Sequence, residues 1–396
     1  MESTNGKTLS RHDFLQRMGV VGAASIIAPF MSDAGIETSA ASRVKIGVIG
    51  CGSVSTQYLP HLSKAEHVEL VSACDIIPDR ARAAADKYGI PNQYTSIEQL
   101  LSGAPFDLMV NLTDMQEHGR LNKLALQAGK HVWSEKPMAN SYPEGKALLE
   151  LAKKRSLKLW GAPAVVNSPQ FAFMAKAINE EKLGKIAAAH AHYGHLGPHW
   201  SAFFYEKGGG SMPDLAVYNL ATLTGLLGPV RSVVAMLNII TPSRKVDNRQ
   251  SPINVEAEDN AMILMEHVSG TLSHVQSGFN YFDPYGHEGS GQTKPTISMW
   301  GTKGNMHLIG YDWAPAAVEM ATLDHEKTER YATDAKGYVW QEGASVVARS
   351  LATGSDTLIA AEHSLHVLEL IGAARESQAS GKRITIESRF KWPVLR

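Results

Sequence analysis

The sequence predicts an α/β N-terminal domain built on a parallel sheet, followed by an α+β domain with an open, largely antiparallel sheet. Up to residue 166, short aliphatic runs alternate with helix-compatible segments, which is typical of β-α-β units. Beyond that point, six strand-like runs follow one another across short turns, which is typical of an antiparallel sheet. With 396 residues and 44% hydrophobic content, the chain is long enough for two hydrophobic cores.

The stretch VKIGVIGCGSVS, residues 44–55, predicts a strand that ends in a phosphate-binding turn. Gly50 and Gly52 permit a tight turn and a close approach of the backbone to a bound group. The helix predicted from about Val54 directs its unpaired N–H groups at the same place. We therefore expect these glycines, with Ser53 and Val54, to bind a pyrophosphate. The pattern is G-x-G-x-x-S, in which a serine replaces the third glycine of the dinucleotide fingerprint of Rossmann domains.

A second apolar strand, HVELVSACD, ends in Asp75. Its distance of about 20 residues from the glycines is where the dinucleotide fold places the carboxylate that binds the adenosine ribose. A carboxylate at this point repels a 2′-phosphate, so the sequence favours NAD over NADP, although Arg80 and Arg82 follow closely. The alternative for Asp75 is an N-cap of the helix that follows.

Composition excludes several other classes of function. A net charge of −1 favours neither nucleic acid nor an anionic membrane surface as a partner. The two cysteines, Cys51 and Cys74, are too few for a disulfide framework or a thiolate metal cluster. The run HAHYGHLGPHW is rich in histidine, but His190 and His192 have no nearby cysteine and no H-E-x-x-H helix, so we predict no metal site.

Residues 1–42 are predicted to be an export signal outside the fold. They have a basic start, an apolar run over residues 18–31 that is too short for a membrane span, and small residues near Ser39 that suit cleavage. The segment resembles a twin-arginine signal with Arg11-His12 where two arginines belong. A periplasmic or otherwise exported protein is the expectation. The alternative is a disordered leader on a cytoplasmic protein.

The run AGKHVWSEKP, residues 128–137, follows a strand and a loop that contains Thr113 and His118. Together with the upstream G-x-G, it resembles the Gfo/Idh/MocA family of nicotinamide-dependent oxidoreductases, and the resemblance covers nearly the whole chain after residue 42. It implies that Thr113, His118, Glu135 and Lys136 contact the cofactor, that Lys136 lies between nicotinamide and substrate, and that the Lys-Pro peptide is cis. An ammonium at the carboxyl end of a parallel strand can also donate a hydrogen bond to a substrate oxygen.

A second group of polar residues lies in GGGSMPDLAVYN, residues 208–219. Three glycines lead into a helix on which Asp214 and Tyr218 share one face. The family commonly has a histidine at the position of Tyr218, and the tyrosine resembles the branch that includes glucose-fructose oxidoreductase. We predict that Lys136, Asp214 and Tyr218 are catalytic and that Asn219 contacts the substrate. The general base stays open, with Tyr218 suited to the role if the ammonium lowers its pKa.

The sugar itself is expected to meet the strand-to-loop passage that precedes the glycines. His195, His199 and Trp200 can hydrogen-bond to a sugar ring or stack on it, and we predict that they bind the substrate.

Three functions are consistent with these residues. The first is a dehydrogenase that moves a hydride between a carbohydrate or polyol carbon and NAD. The second is an NAD-dependent glycosidase that oxidises C3 transiently and expels the aglycone by elimination. The third is a non-catalytic cofactor-binding sensor.

The predicted organisation is a leader (1–42), an NAD-binding domain (43–165), a substrate and oligomerisation domain (166–355) and a C-terminal helix and strand that pack back on the first domain (356–396). In relatives, one face of the second sheet forms subunit contacts, which implies a homodimer or homotetramer.

Overall fold

The structure is a computed structural model that describes residues 43–282 and 293–395. The predicted export signal, residues 1–42, therefore lies outside the described residues. Within the described ranges, no helix is both long enough and apolar enough to cross a membrane.

The first domain is a parallel sheet with helices between its strands. The strands are β1 (Val44–Ile49), β2 (Val68–Cys74), β3 (Asn92–Tyr94), β4 (Leu108–Asn111), β5 (His131–Ser134) and β6 (Leu159–Gly161). The helices are α1 (Ser55–Leu62), α2 (Pro78–Tyr88), α3 (Ile97–Ser102), α4 (His118–Gln127) and α5 (Tyr142–Lys154). The strand order is β3-β2-β1-β4-β5-β6, so successive strands are added on one side of β1 up to β3 and on its other side from β4 onward. A crevice for a ligand forms at the carboxyl ends of the strands at such a point.

Buried aliphatic side chains explain why these segments form a central sheet. Ile46 and Val48 of β1 and Leu108 and Val110 of β4 are fully buried, as expected for strands that are covered on both faces. Because these strands are parallel, the loops that follow them all emerge at one edge of the sheet.

The second domain is a mixed sheet whose strands are mostly antiparallel. Its helices are α6 (Pro169–Asn179) and α7 (Val217–Leu227). The long strands are β7 (Ile186–Gly194), β8 (Val230–Asn238), β11 (Asn260–His267), β12 (Leu272–Gly278), β13 (Pro295–Gly301), β14 (Gly304–Tyr311), β15 (Ala314–Thr322) and β16 (His325–Tyr331). A short hairpin joins β9 (Ser243–Arg244) and β10 (Ile253–Asn254).

The large sheet has the order β16-β15-β14-β13-β7-β12-β11-β8, with one more strand beyond β8. All its described neighbours are antiparallel except β7 and β12, which are parallel. The predicted fold class is confirmed.

The C-terminal segment returns to both domains. It contains α8 (Gly343–Thr353), α9 (Ala361–Ser380) and β17 (Ile384–Thr385), which completes the large sheet beside β8. Close packing joins α9 to α5, because a Cβ at Gly145 would lie 2.9 Å from the side chains of Leu365 and Leu368. Helix α8 is fixed to the first domain by Ser345, whose hydroxyl and carbonyl bind His61 and His67.

Candidate active site

The glycine turn after β1 is built for close backbone contact. Gly50 has φ +88°, and a Cβ at this position would lie 2.5 Å from the backbone carbonyl carbon of Leu112, so a side chain does not fit. Helix α1 begins at Ser55, where a third fingerprint glycine would stand, and its hydroxyl donates to the Gly52 carbonyl at 2.6 Å. The serine therefore packs inside the turn, which keeps the first N–H groups of α1 available to a phosphate.

Asp75 ties the end of β2 to this turn. Its two carboxylate oxygens accept hydrogen bonds from the backbone N–H groups of Cys51 and Ile77, each at 2.8 Å. A carboxylate oxygen has a second lone pair, so Asp75 can still accept a hydrogen bond from a ribose hydroxyl. The alternative, an N-cap for α2, is wrong, because no side chain caps that helix.

The charges around Asp75 fit an adenosine ribose that carries no 2′-phosphate. Burial raises the pKa of Asp114; the Arg80 guanidinium opposes this rise, and Glu206 and Asp75 add to it. These carboxylates therefore lie close enough to interact, with Arg80 beside them. Their combined negative charge repels a phosphate, and their oxygens accept hydrogen bonds from hydroxyl groups. This environment suits the unphosphorylated ribose of NAD.

His118 joins the loops that follow β4 and β5. Its ring nitrogens lie 2.8 Å from the Pro137 carbonyl and 3.0 Å from the Thr113 carbonyl, and the residue is buried. Burial lowers the pKa of this imidazole. These contacts give His118 a positioning role between the two loops, and its predicted contact with the cofactor stays a prediction. Thr113 turns its hydroxyl to the Asn111 side chain at 2.7 Å.

Lys136 and Asp214 meet across the two domains. The Lys136 Nζ lies 2.7 Å from Asp214 Oδ1 and 3.0 Å from the Asp214 carbonyl, and the side chains are only 13% and 11% exposed. The Lys136–Pro137 peptide is cis, as the resemblance implies. Asp214 lies in a π-helical turn, Met212–Ala216, that precedes α7. Such turns are common at functional sites. An ammonium has three N–H donors, so Lys136 retains one for a substrate oxygen.

Tyr218 lies beside this ion pair with its ring, not its hydroxyl, toward the ammonium. The Lys136 Nζ is 5.2 Å from the ring centroid, which is a cation–π contact. Burial raises the pKa of Tyr218 well above its usual range, and the carboxylates of Glu135, Asp214 and Asp312 raise it further. The expectation that Lys136 lowers this pKa is wrong. Tyr218 is a neutral hydroxyl at physiological pH, and Asp214 is the carboxylate that can accept a proton.

Glu135 is buried one residue before Lys136. Its Oε1 accepts a hydrogen bond from the Tyr58 hydroxyl at 2.5 Å, and its Oε2 accepts one from the Lys136 backbone N–H at 3.0 Å. Tyr58 comes from α1 and is fully buried. The carboxylate is therefore fixed between the glycine-loop helix and the Lys136 loop.

Of the predicted substrate residues, His199 and Trp200 contact each other edge to face, with ring centroids 5.7 Å apart. Asn219 is buried, and its amide nitrogen donates a hydrogen bond to Asp312 Oδ2 at 3.0 Å. This bond holds α7 against the residue that follows β14. His195 accepts a hydrogen bond from the Gly197 N–H at 2.9 Å. His199 pairs with Asp247 at 2.9 Å.

Trp200 packs edge-on against Phe204 and is 44% exposed. Within the described residues, neither His199 nor Trp200 contacts Lys136, Asp214 or Tyr218. These two side chains lie on an exposed loop, and their contact with the substrate stays a prediction.

The sequence analysis missed a second tyrosine at this point. Tyr193 is buried on β7, and its ring centroid lies 6.2 Å from that of Tyr218. Burial raises its pKa, as do the nearby Tyr218 and Asp214. Strand alternation contained the signal, because His190 and His192 share one face of β7 and Tyr193 must point to the other.

Comparison with known proteins matches both domains to one family. A model described as "Oxidoreductase family, NAD-binding Rossmann fold" covers residues 44–162, and the GFO/IDH/MocA C-terminal domain covers residues 171–307. The chain is 26% identical to 1,5-anhydro-D-fructose reductase of Ensifer adhaerens over 248 residues, which are 62% of this chain and 74% of that protein.

Two further proteins resemble nearly the whole chain. D-apiose dehydrogenase of Rhizobium rhizogenes is 22% identical over 87% of this chain and 98% of its own length. The structure of levoglucosan dehydrogenase in complex with NADH superimposes with a TM-score of 0.74 at 19% identity, over 88% of this chain and all of that one (100%). The chain belongs to the GFO/IDH/MocA family of oxidoreductases and has the NAD-binding Rossmann domain and the C-terminal domain of that family.

Proposed function

We propose that the protein transfers a hydride between NAD and a hydroxyl-bearing carbon of a carbohydrate or polyol. The observation that carries the proposal is the Lys136–Asp214 ion pair, 2.7 Å between Nζ and Oδ1, held at the carboxyl end of β5 where the two domains meet. That edge of a doubly wound sheet is where a dinucleotide binds. The Rossmann turn at Gly50 and the ribose carboxylate Asp75 lie along the same edge.

Each residue of the group has a distinct task in this proposal. The remaining N–H of Lys136 donates to the substrate oxygen and stabilises negative charge on it. Asp214 accepts the hydroxyl proton when the substrate is oxidised, and returns it in the reverse direction. The neutral hydroxyls of Tyr193 and Tyr218 orient the substrate. NAD, when bound, supplies the hydride acceptor.

The substrate class rests on the relatives. Two relatives, 1,5-anhydro-D-fructose reductase and D-apiose dehydrogenase, are named for sugar substrates. A cleft with two buried tyrosines, a lysine and a carboxylate suits a ligand rich in hydroxyl groups.

A sugar and polyol panel with NAD, followed by absorbance of the reduced nicotinamide, tests the proposal. Sugar-dependent NADH formation that disappears in Lys136→Met supports it. The same mixtures, assayed for aglycone release from glycosides, test the alternative, since cleavage without net NADH identifies the redox-cycling glycosidase. No turnover of either kind across the panel would refute both.

We propose that the open face of the large sheet mediates self-association. Large apolar side chains on β8, β11, β12 and β13 are exposed there, namely Met236, Met262, Leu264, Leu272 and Trp300. An exposed apolar face of this kind packs against a partner, and a second copy supplies a sheet of the same chemistry. Light scattering of wild type and Leu264→Asp tests this. A monomeric wild type would refute it.

We propose that residues 1–42 direct export to the periplasm. The basic start and the short apolar run support this. N-terminal sequencing from fractionated cells tests it, and the intact Met1 start in the cytoplasm would refute it.

A further inference from the structure

The charges buried where the two domains meet do not cancel. Glu135 and Asp214 are 5% and 8% exposed. Asp214 is paired with Lys136, whereas Glu135 accepts hydrogen bonds only from neutral donors, the Tyr58 hydroxyl and the Lys136 backbone N–H. Among the described residues of this site, one carboxylate charge is thus left without a cation against it.

The charge of Glu135 shifts the pKa values of neighbouring side chains. Burial and then the Glu135 carboxylate raise the pKa of both Tyr58 and Tyr218. Asp312 adds negative charge once the pH exceeds its pKa, which burial raises to about 6. His118 does not compensate near neutral pH, because burial lowers the pKa of its imidazole. The described ionisable groups of this site, Glu135, Asp214, Asp312 and Lys136, therefore carry a net negative charge near neutral pH.

We propose that Glu135 makes this site select the oxidised cofactor, so that NAD⁺ binds more tightly than NADH. The nicotinamide ring is cationic in NAD⁺ and neutral in NADH. A cationic ring at the carboxyl end of β5 cancels the unpaired charge of Glu135, whereas the neutral ring leaves a buried, uncompensated carboxylate. The proposal rests on the proposed function, because it requires the nicotinamide to lie beside Lys136.

Glu135 acts here through its charge. Its oxygens accept hydrogen bonds from Tyr58 and from the Lys136 backbone, which hold the carboxylate in place, and its role in the proposal is selectivity and not proton transfer. The arrangement provides two matched controls. Tyr58→Phe removes a hydrogen bond and keeps the charge, and Glu135→Asp keeps the charge on a shorter side chain.

Binding measurements on the full-length protein, freed of bound nucleotide, test the proposal without turnover. The Kd of NADH is measured by energy transfer from tryptophan, and that of NAD⁺ by displacement, at low salt and near neutral pH. We expect NAD⁺ to bind at least about tenfold more tightly, since the attraction between unit charges at close range in a partly buried site exceeds what that factor requires. Glu135→Gln should bring the two affinities close to equal, while Tyr58→Phe and Glu135→Asp should retain the difference.

Equal or tighter binding of NADH by the wild type would overturn the proposal, and this result is decisive even if Glu135→Gln does not fold. So would an unchanged affinity ratio in a folded Glu135→Gln variant. Failure of either form to bind would overturn the proposal together with the proposed function. Equal binding by an enzyme that does oxidise a sugar would overturn this inference alone.

Discussion

The coupling between Lys136 and Asp214 can be measured by a double-mutant cycle. The two charges are 2.7 Å apart and nearly buried. Coulomb's law at an effective dielectric constant near 20 gives an attraction of about 6 kcal/mol at that distance, before the cost of desolvation. Removing one partner leaves the other charge buried and unpaired, which costs about 3–5 kcal/mol.

We therefore expect Lys136→Met and Asp214→Asn each to lower the free energy of unfolding by about 3 kcal/mol or more. The double variant should lose much less than the sum, because it buries no unpaired charge. Turnover should fall about 100-fold or more in each single variant, as is typical when an electrostatic or acid/base group is lost. The double variant should be little worse than the poorer single one, since the two groups serve one proton transfer.

Denaturant unfolding and steady-state kinetics on the four proteins complete the cycle. Tyr193→Phe, which removes a substrate-orienting hydroxyl but no charge, shows how much of the loss in turnover arises without a change in charge. Additive losses of stability, together with fully multiplicative losses of turnover, would mean that the two residues act independently. The ion pair would then not be the centre of the site.

Three further variants test other parts of the cleft. Asp75→Ala should weaken NAD more than NADP in binding titrations, because the lost carboxylate accepts ribose hydroxyls and repels a 2′-phosphate; an unchanged preference would contradict this. Tyr218→Phe should lower turnover about tenfold or more without moving the pH profile below pH 9, since the pKa of this hydroxyl lies well above its usual range. Burial raises the pKa of Asp312 from 3.8 to about 6, so the folded state binds this proton more tightly and stability should fall as the pH rises through that window. Urea unfolding of Asp312→Asn should lack that fall, and a fall equal to the wild type's would place its origin elsewhere.

Local patterns predicted the parts of the fold whose neighbours are near in sequence. Strands β4 and β5 begin and end where their aliphatic runs do, and the glycine turn lies where its residues require it. The edge strand β16 gave no comparable signal. The sequence of β16 is HEKTERY, and it is almost entirely exposed, so no buried face imposes alternation on it.

In the candidate site, too, local sequence patterns predicted some features, whereas others depend on residues that are distant in the sequence. The placement of Asp214 and Tyr218 on one face follows from their helical spacing. The position of Lys136 at the site follows from its motif. The role of His118 depends on two carbonyls in separate loops, and that of Asp312 on side chains of α7, which no local pattern contains. The direction of the Tyr218 pKa shift depends on burial and on the positions of three carboxylates, which the sequence does not reveal.

The backbone of Asp214 is fixed from outside the predicted site. Arg375 of α9 donates to the Gly209 carbonyl at 2.7 Å and to Glu258 Oε1 at 3.1 Å. Gly210 has φ +110°, and a Cβ there would lie 2.3 Å from Glu258 Oε1, so only glycine lets the carboxylate approach the loop. Burial raises the pKa of Glu258, and the Arg375 guanidinium opposes that rise. This loop leads directly into the π-helical turn of Asp214, so its contacts with Arg375 and Glu258 help to position the carboxylate that pairs with Lys136.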